Sequence, residues 1–205
     1  MYTKDIVATL FGLLIILLMG TILFIGLQQP VSVIIQAGHE GRTTGNTGAS
    51  AKYYNEQQWN TYVADEVATQ LHAWGISVKR IPATLTHEQA KIAIAIHFDG
   101  ARQACQSGAS IGYPDRRSYG FAQRWKSLYT SYFPYRWHPD NFTPNLAEYY
   151  AYKKIDAEKF LVLELGEISC RKQRAWLKPR LTQIAHLIAY TIATELGEVV
   201  QKPLR

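Results

Sequence analysis

Two histidines and two glutamates stand out, each beside a short apolar run. They are His39 in IIQAGHEG (34–41), Glu56 in NEQQWN (55–60), His97 in IAIHFDG (94–100) and Glu164 in LVLELGE (161–167). Residues of these types carry out metal-assisted hydrolysis. Two neutral imidazoles and one carboxylate hold Zn²⁺ and leave a fourth position for water, while a separate carboxylate moves protons. His39, Glu56 and His97 are therefore the expected zinc ligands. Glu164 is the expected general base and then general acid, because a carboxylate inside LVLELG is costly to bury without a partner. Taken singly, each residue is weak. A strand-end histidine more often packs or faces solvent, and Glu56 alone is a favourable charge in a helix's first turn. The four together, in this order, carry the argument.

The elements that must position them are readable from pattern. Val31 to Ala37 is short and β-branched, which predicts a buried strand. Gly38 lets the backbone turn sharply as that strand ends. Residues 38–54 form a long glycine-rich and polar loop, of a size that often carries function. Asn55 is a good N-cap, and Trp59, Tyr62, Val63, Val67, Leu71 and Trp74 give the following helix one apolar face up to Gly75. Strands are expected at Ile76–Ile81, Lys91–Phe98, Ala109–Tyr113 and Phe160–Leu165, with a brief turn or helical connection over Thr86–Ala90. Helices are expected over Ser118–Tyr132 and from Pro179 to Gly197, where Leu181, Ile184, Ala185, Ile188 and Ile192 share a side. The turn residues Pro134, Pro139, Asn141 and Pro144 make 133–147 a loop. Alternating strands and helices predict an α/β fold, a mixed, mostly parallel sheet flanked by helices. Reactive groups in such sheets gather beyond the carboxyl ends of the strands, where His39, His97 and Glu164 fall.

An accessory segment precedes that domain. Residues 6–27, IVATLFGLLIILLMGTILFIGL, carry no charge. As a helix at about 1.5 Å per residue the run is about 33 Å long, enough to cross a hydrocarbon core of about 30 Å. A cleaved signal peptide is the competitor, but its apolar region would be shorter and followed by small residues, whereas this run ends in Leu27, Gln28, Gln29 and Pro30. The expected organisation is a membrane anchor at 1–30, a catalytic domain at 31–199 and a short tail at 200–205. Flanking charge (Lys4 beside Asp5) permits a cytoplasmic amino terminus with the domain outside, without demanding it.

Lys4 and Asp5 cancel, so the formal charge of +6 rests on the rest of the chain. Such a domain is drawn to polyanions, including an acidic cell wall. No Arg-rich helix, zinc finger or RNA-binding aromatic signature accompanies the charge, so nucleic acid is not an expected partner. The densest basic stretch, Arg171, Lys172, Arg174, Lys178 and Arg180, reads as a solvated face. Cys105 and Cys170 are the only cysteines and form no CxxC pair, which argues against a cysteine zinc site. If the domain lies outside the cytoplasm, a Cys105–Cys170 disulfide is a reasonable expectation.

The order GHEG, helix-opening glutamate, AIHFDG, LVLELGEIS resembles the zinc-dependent N-acetylmuramoyl-L-alanine amidases of the amidase-3 type, over roughly residues 32–197. The stretch Gly45-Asn-Thr-Gly-Ala49 is similar to that family's loop before the glutamate. The resemblance implies zinc on His39, Glu56 and His97, catalysis by Glu164, and hydrolysis of the amide joining N-acetylmuramic acid to the stem peptide's L-alanine in peptidoglycan. Joined to the apolar run at 6–27, it gives the expectation of a bacterial, single-pass membrane protein with its catalytic domain on the cell-wall side. A zinc exopeptidase or other amidohydrolase on a related scaffold, or an inactive wall-binding module, are the alternatives. Departures from the family pattern are Gln36 for aspartate, Glu40 for glycine, Ala95 and Asp99 for serine and asparagine, and Glu167 for phenylalanine. Glu40 is a rival to Glu56 as ligand, and Glu40, Asp99 and Glu167 add negative charge near the site. The family's arginine- and asparagine-bearing helix before the second histidine is missing, since only about ten residues join Ile81 to the next strand. Residues 113–152 hold 13 of the 25 aromatic residues. They suit either sugar stacking or a local aromatic core, with His138 a further polar contact or a surface residue.

Overall fold

The computed structural model describes residues 31–203. The apolar run expected to span a membrane lies outside them. Among the described residues no helix is long and apolar enough to cross a membrane.

Five strands form the main sheet: β1 (Val33–Ala37), β4 (Val78–Ile81), β5 (Glu88–Asp99), β6 (Ala109–Gly112) and β7 (Ile155–Glu167). Their order is β4-β1-β5-β7-β6, with β6 antiparallel to β7 and every other pairing parallel. This is the mixed, mostly parallel sheet expected. A two-stranded ribbon, β2 (Ser50–Ala51) and β3 (Tyr54–Asn55), lies within the long loop after β1.

Side chains alternate across a strand, and the sequence sorts itself accordingly. Val33 and Ile35 of β1, Ile92, Ile94 and Ile96 of β5, and Leu161, Leu163 and Leu165 of β7 face one core. That face is covered by three long helices, α1 (Glu56–Ala73), α2 (Arg116–Thr130) and α5 (Leu181–Glu195). Ile34, Ala93, Ala95 and Val162 face the other core, under Leu146, Tyr149 and Ala151. The same alternation sends Gln36, His97 and Glu164 to this second face, at the carboxyl end of their strands. His97 and Glu164 are register partners across β5 and β7, and the register shifts just beyond them, so the ladder opens where the site begins.

The missing crossover helix has a physical substitute. β4 and β5 both run parallel to β1, which lies between them, so the chain must return across the second face. Residues 82–87, which bend at Ala83 and Thr84, make this return, and at about 3.3–3.6 Å per residue their reach is at most about 20 Å. The rest of the face is roofed by α3 (Pro144–Ala147) and a 3₁₀ turn (Tyr150–Lys153). Tyr150 Oη donates to Ala83 O at 2.7 Å and Glu88 N to Lys154 O at 3.1 Å, stitching the two pieces together. The aromatic-rich segment is thus largely a core: Phe121, Trp125, Tyr129 and Phe133 are buried under the helix layer and Tyr149 under the roof.

Boundaries differ from expectation where tertiary pairing extends a strand. β5 begins at Glu88, so Glu88–Ala90 of the connection expected over Thr86–Ala90 are already strand, paired residue by residue with the early part of β7. β7 likewise starts at Ile155 rather than Phe160. A helix not expected, α4 (Arg171–Leu177), follows β7. Asn55 caps α1 as predicted, its side chain accepting from Gln58 N, and Gly75 and Gly197 end their helices with positive φ. Tyr62, placed on the apolar face of α1 by spacing, is 44% exposed and bonds Thr182 instead.

Candidate metal centre

His39, Glu56 and His97 converge. His39 Nε2 lies 3.2 Å and His97 Nδ1 3.1 Å from Glu56 Oε1, and the two rings meet edge to face at 4.9 Å between centroids. Ligands bound tetrahedrally at about 2.0–2.1 Å stand about 3.3 Å apart, so the spacing fits a divalent ion. One ligand atom from each of the three lies within 4.8 Å of the others, and all three residues are buried.

Each is held by neighbours that decide its protonation. His39 Nδ1 is 2.9 Å from Asn46 O; a carbonyl only accepts, so Nδ1 carries the hydrogen and Nε2 keeps its lone pair. For His97 the argument passes through three residues. Tyr150 Oη donates to Ala83 O, so it accepts from Gln36 Nε2 at 3.0 Å. That turns Gln36 Oε1 toward Tyr149, whose hydroxyl donates to it at 2.9 Å. Tyr149 Oη is left to accept from His97 Nε2–H at 2.9 Å, so His97 Nδ1 is bare. Three lone pairs therefore face one another inside the protein. Phe98 N and Asn60 Nδ2 donate to Glu56 Oε1, both at 3.2 Å, and Ala49 N to Oε2 at 2.7 Å, which pins the carboxylate between the rings.

The electrostatics show the same demand for positive charge. Burial would raise the Glu56 pKa, but the two imidazoles against it, which bond to it whenever either facing nitrogen takes up a proton, hold it far below the carboxylate range. Burial would lower His39, yet Glu56 pulls it above the ordinary value, while His97, more deeply buried, is lowered. A cation among these atoms satisfies all three.

Two glycines make room. A Cβ on Gly38 would stand 2.2 Å from His97 Cε1, and one on Gly48, where φ is +92°, would stand 2.9 Å from Glu56 Oε2. The expected role of Gly38 in turning the chain is corrected here. The positive φ of 63° falls on His39 itself, and Gly38 is needed because the His97 ring lies against it.

Glu164 opens on the same cleft of about 380 Å³ as the three convergent residues. Its Oε2 is buried with no hydrogen-bond partner among the described residues, and burial pushes its pKa well above the usual range, with Glu56 and Asp99 adding to the rise. Glu40, the rival ligand, is turned away: Arg80 grips it through two nitrogens, Nη2 to Oε1 at 2.8 Å and Nη1 to Oε2. Glu167 does not enter the cleft either. It accepts from Cys105 N and Ser107 N, both at 2.7 Å, anchoring the loop after β5. Of the three added acids only Asp99 lines the cleft. His138 does not line it; its ring stacks on Phe142 and its Nε2 is 3.1 Å from Ser107 Oγ. Tyr149, which sets the tautomer of His97, was not singled out by the sequence.

Comparison with solved structures places the fold. The catalytic domain of CwlV, an N-acetylmuramoyl-L-alanine amidase from Bacillus (Paenibacillus) polymyxa var. colistinus, is 20% identical with a TM-score of 0.64, over 82% of this chain and 99% of that one. The putative N-acetylmuramoyl-L-alanine amidase from Neisseria meningitidis gives 20% identity and a TM-score of 0.64, over 82% and 97%. AmiC2 of Nostoc punctiforme gives 18% and 0.61, over 82% and 98%. At these identities the likeness is one of fold. Comparison with curated proteins finds no match. The family model Amidase_3, described as N-acetylmuramoyl-L-alanine amidase, matches residues 33–194. With most of its length and all four site residues inside that match, the chain belongs to the Amidase_3 family of N-acetylmuramoyl-L-alanine amidases.

Proposed function

We propose that this amidase is zinc-dependent and hydrolyses the amide between N-acetylmuramic acid and L-alanine in peptidoglycan. The convergence of two bare imidazole nitrogens on one Glu56 oxygen, beside the unpartnered Glu164 carboxyl, carries the reading. His39 Nε2, Glu56 Oε1 and His97 Nδ1 would hold the ion, with Asn46 and the Gln36–Tyr149 pair fixing the two rings. Zinc held there would supply a lowered pKa for water and polarisation of the amide carbonyl. Glu164 takes the proton from water and delivers it to the departing alanine nitrogen. Its raised pKa suits a group that must hold that proton between the two steps.

Purified Glu164→Gln is expected to keep one zinc per chain while muramoyl-peptide hydrolysis falls at least about 10³-fold, whereas His97→Ala loses both. Metal analysis and mass spectrometry of muropeptide digests read the two outcomes; full turnover by Glu164→Gln refutes the assigned base. Products cut within the stem peptide, rather than at its junction with the sugar, identify an exopeptidase instead.

The same proposal puts the domain on the wall side of a bacterial membrane, anchored through residues 6–27. The uncharged run supports this, as does the Cys105–Cys170 disulfide, whose Cα atoms are 4.5 Å apart, since such bonds persist in oxidising compartments. Fractionated cells should hold the chain in the membrane pellet with both cysteines resistant to alkylation until reduced. A soluble chain with two alkylated thiols contradicts the placement.

A further inference from the structure

Arg42 is the one lysine or arginine among the residues lining the cleft, where Glu56, Asp99, Glu148 and Glu164 supply four carboxyl groups. Among the described residues no carboxylate pairs with it. Its Nη1 makes a single long bond to Asn46 O at 3.3 Å, and its guanidinium lies 5.1 Å from the centroid of the Tyr150 ring. Both neighbours belong to the frame of the metal centre: Asn46 O holds His39, and Tyr150 orients Gln36 behind Tyr149 and His97. The fork is therefore held at the edge of the reacting centre with most of its N–H groups uncommitted. The cation–π contact with Tyr150 engages the guanidinium without using them.

A fixed planar fork of this kind matches a carboxylate, which accepts two parallel N–H bonds. The rest of the cleft disfavours one: a free carboxylate near Glu148 or Asp99 meets like charge. The substrate's chemistry decides where that carboxylate comes from. Once the lactyl carboxyl of N-acetylmuramic acid is tied up in the amide, the N-acetylated sugar carries no charge. Every carboxylate the cleft meets then belongs to the peptide. We infer that Arg42 binds the first free carboxylate of the stem peptide, on its second residue, and so selects substrates in which that group is not amidated. This rests on the amidase reading and names what its leaving peptide must carry.

Binding tests it without turnover. Two N-acetylmuramoyl tripeptides that differ only in the second residue's carboxyl, free or amidated, are titrated calorimetrically into zinc-loaded, full-length Glu164→Gln. The free acid is expected to bind roughly 10- to 100-fold more tightly, the range for a charge-assisted bidentate contact. Adding Arg42→Gln should bring the acid down to the affinity of the amide. Arg42→Lys, which keeps the charge but not the fork, should retain part of the preference. Equal affinities, no binding of either peptide, or a preference that survives Arg42→Gln overturns the assignment. Hydrolysis by the unsubstituted chain is followed in parallel. Preference for the acid peptide without hydrolysis of either sinks the amidase reading and leaves the carboxylate subsite standing; hydrolysis without preference does the reverse.

Discussion

Tyr149 decides which nitrogen of His97 faces Glu56. Its hydroxyl has one hydrogen, spent on Gln36, so it accepts from His97 Nε2–H and leaves Nδ1 for a ligand. Removing that hydroxyl leaves a buried N–H without a partner and frees the ring to change tautomer, while the ring contacts to Phe160 and Tyr152 remain. Tyr149→Phe is therefore expected to fold normally and to lose about 10- to 100-fold in zinc affinity, measured by competition with a chelator at fixed pH. Unchanged affinity shows that the relay does not tune the site. The four principal residues were legible because each ends an apolar run or opens a capped helix. Tyr149 was not. It lies 52 positions from His97 in a segment crowded with tyrosines, and no spacing rule distinguishes the one that reaches the ring. Gln36 could be read only as a departure from aspartate; its structural meaning is a neutral amide whose two ends meet two different tyrosines.

At the scale of elements, alternation was the most informative signal. IAIAIH on β5 sends isoleucines to the helix layer and the two alanines and His97 to the other face, and LVLELG on β7 does the same with Val162 and Glu164. Period-two spacing thus brings residues 97 and 164 to one surface before any long-range contact is known. The early parts of β5 and β7 were missed because Glu88–Ala90 and Asp156–Lys159 are polar or weakly apolar by composition. Their strand character comes from pairing with each other. Helix α4 was missed for a related reason. RKQRAWL reads as a solvated basic stretch, and Arg171 and Lys172 are exposed, but Arg174 is buried with its Nη1 on Ile168 O and Ser169 O. The absent crossover helix was legible as a short connection; what replaces it was not. A six-residue segment covers little surface alone, and the remaining cover comes from Tyr149 and its neighbours, more than 60 residues later.

Over the whole molecule, one sheet face is given to stability and the other to chemistry. Three long helices seal the isoleucine and leucine face, so the opposite face can be roofed by irregular chain that leaves a cleft at the strand ends. The fold that carries this division is shared with amidases only about 20% identical. The +6 formal charge favours polyanionic surroundings, while the cleft concentrates carboxyl groups around a point that calls for a cation. X-ray absorption at the zinc edge tests that point most directly. The zinc-loaded chain should show one ion bound by two imidazole nitrogens and by oxygen at about 2.0–2.1 Å, with no sulfur. His39→Ala should abolish stoichiometric binding. A sulfur ligand, a single imidazole, or a full complement of zinc in His39→Ala would contradict the account.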